Sequence, residues 1–229
     1  MSSRGRTIAV LPIKRFSAAK QRLEGDLTEG TRRALAEAMV TDVLIALRRS
    51  TRVDEVLVVS GESHAVALAA GYDAAAVIDD PDDAGHSAAA LRGVQAAVDR
   101  GADRVLLVPG DCPAVAPEEL DALLARPVAG PEVIVVPDRH GDGTNALVLT
   151  PPDVMVPAFG PGSRARHEDL ARRAGASVEA VDVPSLSLDV DTGADLEALR
   201  GALEVVRGGA SHTRGLLGRV GRIGRVAGS

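Results

Sequence analysis

The chain is nearly devoid of aromatic residues and of lysine. Tryptophan is missing, and one tyrosine with two phenylalanines brings the aromatic content to 1%. With only Phe16, Tyr72 and Phe159 available, no row of stacking platforms for single-stranded nucleic acid can be built. The core must come from Val, Leu, Ile and Ala. Cys112 is the only cysteine, which excludes an intrachain disulfide, a Cys-rich zinc site and a Cys-x-x-Cys redox pair, and points to a reducing compartment. No stretch approaches the ~20 apolar residues of a membrane span. The apolar run 7–13 behind Arg4 and Arg6 is too short for a secretory signal, so the expected location is the cytoplasm. Positive charge is also short: 26 basic residues face 32 acidic ones, a net charge of -6. Phosphate-backbone binders are normally basic, so neither nucleic acid nor membrane is an expected partner. A homodimer is possible, though no exposed apolar stripe forces one.

The scarcity of lysine is informative in itself. Lys14 and Lys20 are the only two, and both fall in one loop after the first apolar run, beside Arg22. Abundant Ala, Gly, Arg and Val suggests a GC-rich coding bias that replaces lysine with arginine wherever charge alone is needed. A lysine ammonium is a compact point charge on a flexible stem, whereas guanidinium is a broad planar fork. Two lysines retained together suit contact with transferring phosphate groups.

Length and hydrophobic pattern predict a single α/β domain over residues 1–206, followed by a basic, Gly/Arg-rich tail, 207–229, read as mobile. Residues 7–11, 55–60, 75–78, 104–109, 132–137, 145–150 and 177–183 read as strands, with a further short strand at 186–188. Helices are expected from Thr28 to about Ser50, over 63–70, over 87–100, from Pro117, from Ser163 to about Ala174, and from Thr192 to about Val206. Leu35, Met39, Val43 and Leu47 form a stripe facing the core. Thr192 and Asp195 are placed as a capping box. The polar turn 138–144 joins two adjacent strands, so one antiparallel pair is expected within a mostly parallel sheet with helices on both faces.

Ligands on such sheets bind beyond the carboxyl ends of the strands. That rule brings Lys14, Lys20, the 79–86 loop, Asp111, Asp189 and Asp191 to one rim. Lysines opposite aspartates from separate strand ends compose a phosphate and metal site, since Mg²⁺ is typically held by one or two carboxylates and substrate phosphates. No Gly-x-x-x-x-Gly-Lys-Ser/Thr run exists, so a P-loop is excluded, and no Ser nucleophile elbow is present. The Gly-rich loop 159–163 opens a helix and makes a good anion site. His64, His86, His140 and His212 receive no role.

Leu-Pro-Ile-Lys after the first strand, Ala-Lys-Gln-Arg-Leu, Gly-Asp-Cys-Pro, Gly-Thr-Asn-Ala-Leu, Phe-Gly-Pro-Gly-Ser and Leu-Asp-Val-Asp-Thr occur in that order. Together, from Thr7 to about Leu199, they resemble the phosphoenolpyruvate or 2-phospho-L-lactate guanylyltransferases of coenzyme F-420 biosynthesis. The resemblance implies a GT-A-like, Rossmann-like nucleotidyltransferase fold and transfer of GMP from GTP to phosphoenolpyruvate, with pyrophosphate released. It implies that Thr144, Gly160 and Ser163 hold the phosphorylated three-carbon acid, that Asp111, Asp189 and Asp191 hold Mg²⁺, and that Lys14, Lys20 and Arg22 meet the triphosphate. Pro12 and Ser87 join the two lysines around the nucleotide. Gly85-His86-Ser87-Ala88 stands where many relatives are expected to have Gly-Leu-Asn-Ala. Phosphoenolpyruvate is preferred over 2-phospho-L-lactate because the composition suggests a high-GC bacterial source. The open alternatives are another phosphorylated acceptor, such as a molybdopterin or sugar phosphate, and a nucleotide-binding module without turnover.

Overall fold

The computed structural model describes residues 5–16, 20–72, 75–82, 84–205 and 208–226. Residues 17–19 of the lysine loop therefore lie outside the described residues. Seven strands form one sheet in the order β3-β2-β1-β4-β6-β5-β7. They are β1 (Thr7–Pro12), β2 (Glu55–Ser60), β3 (Ala75–Asp79), β4 (Arg104–Leu107), β5 (Glu132–Pro137), β6 (Thr144–Thr150) and β7 (Ser177–Ala180). Only β6 runs against its neighbours, antiparallel to both β4 and β5. The expected hairpin across residues 138–143 is therefore present. It lets the chain reverse once and bring the start of β6 to the rim where the parallel strands end.

Alternation along the strands divides the core into two layers. Ala9 and Leu11 of β1 face α1 (Glu29–Arg49), α2 (Ser63–Gly71) and α4 (Pro117–Leu124), while Ile8 and Val10 face α3 (His86–Asp99) and α5 (Ser163–Arg173). Buried on both faces, these strands read as continuous apolar runs, as parallel strands do. Helix α3 approaches the sheet closely because Gly93 faces it. A Cβ there would come within 2.2 Å of Cγ1 of Val10 and 3.0 Å of Cγ2 of Val59.

Several expectations need correction. Strand β4 stops at Leu107, short of the expected 109. Residues 186–188 are not a strand. Pro184–Leu186 forms one 3-10 turn, since Pro184 supplies no N–H for a sheet ladder. Strand β7 stops at Ala180, short of the expected 183. The tail, read as mobile, carries a helix within its described length: Ser211–Val226 forms α7, packed on α1. The amides of His212 and Thr213 at its start donate to the Asp42 carboxylate of α1 at 3.1 and 2.8 Å. Leu217 is buried beside Leu35 and Met39, and α6 (Gly193–Val205) contributes Leu196, Leu199 and Leu203 to the same cluster. The stripe on α1 is accordingly shared: Val43 and Leu47 meet the sheet layer, whereas Leu35 and Met39 meet α6 and α7.

Gly93→Ala should destabilise the protein by about 1–3 kcal/mol through overpacking, read from the midpoint of urea denaturation. Deleting 208–229 uncovers the Leu35 and Met39 face and should cost about 3 kcal/mol, or roughly 6–12 °C in Tm by calorimetry. An unchanged Tm would mean that α7 contributes nothing to the core.

Candidate active site

The rim above β1, β4 and β6 carries a cleft with two connected lobes. The narrower, about 190 Å³, is lined by Pro12, Lys14, Phe16, Lys20, His86 and Gly110, with Asp111 and Asp191 at its border. The wider, about 420 Å³, is lined by Lys14, Arg22, His86, Thr144, Asn145, Gly160, Ser163, Asp111, Asp189 and Asp191. Lys14, His86, Asp111 and Asp191 border both, so a molecule spanning the lobes would cross the carboxylates. Lys14 and Arg22 are exposed.

Lys20 is the electrostatic centre. Its Nζ donates to Oδ2 of Asp111 at 2.8 Å and to Oδ1 of Asp191 at 3.1 Å. Its side chain is 8% exposed, against 27% for Asp111 and 48% for Asp191. The backbone at Lys20 is left-handed, φ 57°, just ahead of the 3-10 turn Gln21–Leu23. That conformation costs about 1 kcal/mol or more for a residue with a Cβ. Burial alone would lower the ammonium pKa, but the carboxylates of Asp111 and Asp191 outweigh it and hold Lys20 protonated. Burial likewise pushes Asp111 towards neutrality. The charge and hydrogen bond of Lys20 overcome this and keep its carboxyl below the usual range.

Asp189 behaves differently. Burial, and then the neighbouring charge of Asp111, raise its pKa, with a partial offset from Asn145, whose Nδ2 donates to Oδ1 at 3.2 Å. The same amide donates to the carbonyl of Leu186 at 2.8 Å, tying the 189–191 segment to β6. The amide of Val190 donates to the carbonyl of Asp111 at 3.2 Å, and the Val190 side chain is buried. Asp189 and Asp191 therefore flank an inward valine although this segment is not a strand. The capping box forms as expected, with Thr192 N–H on Asp195 at 2.7 Å and Asp195 N–H on Thr192 Oγ1 at 3.3 Å. Cap duty falls to that pair, which leaves the Asp191 carboxylate for Lys20.

The carboxylates Asp111, Asp189 and Asp191 do not by themselves make a closed cage. Among the described residues no three of His, Cys, Asp and Glu sit as a ready metal group, and Lys20 lies between two of the three. Oδ1 of Asp111 is nevertheless buried with no hydrogen-bond partner. An orphaned carboxylate oxygen beside two further carboxylates suits a hard cation that substrate phosphates help to complete.

The wide lobe is built by the hairpin and by the loop before α5. Gly160 and Gly162 take φ of 117° and 67°, which only glycine adopts freely. Oδ2 of Asp142 in the hairpin accepts the Gly162 amide at 2.9 Å. Ser163 opens α5 and is buried, as is Thr144 at the start of β6. Ser87 does not line the cleft; its Oγ accepts the Phe159 amide at 2.9 Å and so braces the loop. His86 receives no role from the sequence, although its loop is placed at the rim. It borders both lobes and packs edge-on against Phe159, ring centroids 4.6 Å apart. Burial and Lys14 outweigh Asp111 and lower its pKa to about 4, so it is neutral near pH 7. Cys112 is buried, and burial with the nearby aspartates keeps its thiol protonated, which removes it as a nucleophile.

Lys20→Met should cost roughly 2–3 kcal/mol near pH 7, somewhat less than removal of one partner of a fully buried pair, because Asp111 and Asp191 keep some contact with water. The sign with pH follows. In the wild type Asp111 contributes stability above its unfolded value of about 3.9, lost as pH falls through its lower folded value. In the variant Asp111 is unpaired and burial holds its folded pKa above the unfolded value, so the deficit should begin to shrink as pH falls through that raised value and keep shrinking below about pH 4. Urea titrations at several pH values would show this. A deficit independent of pH would exclude the ion pair as its source.

A family model described as guanylyl transferase CofC like matches residues 7–222. A phosphoenolpyruvate guanylyltransferase from Conexibacter woesei is 54% identical over 93% of this chain and 96% of its own length. One of the same name from Sphaerobacter thermophilus is 41% identical over 85% and 93%. Among solved structures, a protein from Desulfovibrio desulfuricans G20 described as a nucleotide-diphospho-sugar transferase superposes with a TM-score of 0.72. It is 20% identical and covers 93% of this chain and 94% of its own. A nucleotidyl transferase from Methanothermobacter thermautotroptrophicus gives a TM-score of 0.62 at 23% identity, covering 87% and 98%. These structures share the α/β nucleotidyltransferase fold, and the sequence match, running through the motifs of the cleft and into α7, places the chain in the CofC-like guanylyl transferase family.

Proposed function

We propose that the protein transfers GMP from GTP to phosphoenolpyruvate and releases pyrophosphate. One observation supports the reading: a narrow lobe holding Lys14 and Lys20 and a wide lobe holding Thr144, Gly160 and Ser163 meet at the Asp111 and Asp191 carboxylates, with Asp189 on the wide side. The triphosphate would lie along Pro12, Lys14, Lys20 and Arg22, and the acid in the wide lobe against Thr144, Gly160 and Ser163. The 54% identical relative named for this activity supports the choice of phosphoenolpyruvate.

In the transfer, an oxygen of the acid's phosphate attacks the α-phosphorus in line, forming one P–O bond as the bond to the β-phosphate oxygen breaks. The acceptor phosphate is already ionised, so no proton has to be removed. This agrees with a neutral His86 and a protonated Cys112 beside the site. Lys14 and Arg22 neutralise charge on the phosphates, and Lys20 exchanges part of its hold on Asp111 and Asp191 for the triphosphate. Asp111, Asp189 and Asp191 would hold Mg²⁺, which would supply positive charge to stabilise the negative charge of the phosphates. Lysine suits position 20 for a steric reason as well: its side chain is 8% exposed, with the ammonium between two carboxylates, and a planar guanidinium needs more room.

Pyrophosphate release from GTP and Mg²⁺, with phosphoenolpyruvate or 2-phospho-L-lactate in parallel and an acid-free control, tests the proposal. Release dependent on phosphoenolpyruvate is expected. Dependence on 2-phospho-L-lactate alone would move the acceptor, and release with neither would refute the reading. Lys20→Arg, although it keeps the charge, should lower kcat/KM about a hundredfold. Wild-type rates would show that position 20 needs only a positive charge.

A further inference from the structure

Between β6 and α5 lies an imidazole to which the transfer assigns no part. His167 is wholly buried and joins two elements of the wide lobe. Its Nδ1 lies 3.0 Å from Oγ1 of Thr144, and its Nε2 accepts the backbone N–H of Ala158 at 2.9 Å. The second contact decides the first. A backbone amide can only donate, so Nε2 carries no proton, and a neutral ring then carries its proton on Nδ1. Burial, helped by the Arg166 guanidinium, lowers the ring pKa to about 4, so the ring is neutral near pH 7.

The consequence falls on Thr144. Its hydroxyl accepts from Nδ1–H, so its own hydrogen is left to donate elsewhere. Oγ1 has no second hydrogen-bond partner among the described residues, and Thr144 borders the wide lobe. The same ring holds the Gly-rich loop through Ala158. Phe159 follows, its ring edge-on to His167 at 5.1 Å between centroids, and then Gly160 and Ser163.

We propose that His167 is the positioning residue of the acid lobe: it turns the Thr144 hydroxyl hydrogen into the cleft as a donor to the bound acid anion, and pins the 158–163 loop at the matching distance. The inference rests on reading the wide lobe as the acid site. The tautomer itself does not depend on that reading.

Two measurements test it on the full-length chain. Nitrogen-15 NMR of the histidine rings should find His167 neutral at pH 7 with its proton on Nδ1. A proton on Nε2, or a charged ring at pH 7, would overturn the proposal, and this result needs no variant. In kinetics, His167→Leu should raise KM for phosphoenolpyruvate about ten- to hundredfold, with affinity for GTP by calorimetry unchanged within about twofold. His167→Asn, which returns an N–H near the Nδ1 position, should recover part of the loss. An unchanged KM in a folded Leu variant, or equal weakening of GTP and acid, would overturn it. If the wild type turns over neither acid, the functional reading falls on its own. The positioning role then stands or falls on the tautomer and on whether His167→Leu weakens binding of phosphoenolpyruvate measured directly.

Discussion

A single ammonium group neutralises the centre of this cleft. Asp111 lies in the turn after β4, Asp191 ends a loop far along the chain, and Lys20 donates to both at 2.8 and 3.1 Å. Without it, adjacent partly buried carboxylates would repel one another, and protonation would follow, as the raised pKa of Asp189 already illustrates. The left-handed backbone at Lys20 is a local cost accepted to bring the ammonium there. Elements are stitched around this contact: the Val190 amide to the Asp111 carbonyl, Asn145 to Asp189, and the Thr192–Asp195 cap behind them.

The rest of the fold serves to deliver these groups to one rim. Parallel strands end together on one edge of the sheet, and their loops carry the polar residues. The single reversal at β6 adds Thr144 and Asn145 to that rim from the start of a strand rather than its end. Behind the sheet, α1 acts as a common wall, one face on the strands and the other on α6 and α7. Rigid walls of this kind suit chemistry by positioning, in which the protein supplies geometry and charge rather than a covalent nucleophile.

Much of this was legible in the linear chain. The succession of strands and helices along the chain, the hairpin, the α1 stripe and the Thr192–Asp195 cap follow from periodicity and capping residues. The clustering of Lys14 and Lys20 follows from a composition that elsewhere prefers arginine. The tail from 207 misled because its glycines and arginines carry the signature of disorder. Only the presence of an apolar face on α1 and a carboxylate at Asp42 makes α7 a packed helix. Nothing local reveals that the Ser87 hydroxyl accepts the Phe159 amide 72 residues away.

By itself the sequence determined which groups could do chemistry here: two lysines, aspartates in polar loops, and glycines able to adopt positive φ. Residue identity and short-range pattern suffice for that, because charge, size and backbone freedom are local properties. The tertiary structure alone decided how those groups pair, namely which carboxylates Lys20 meets, that Asp111 keeps one oxygen unpartnered, and that half-buried His86 and buried His167 are neutral. A histidine's role depends on desolvation and on the donors around it, and these come from segments far apart in the chain and are set only when the sheet and its helices close over them.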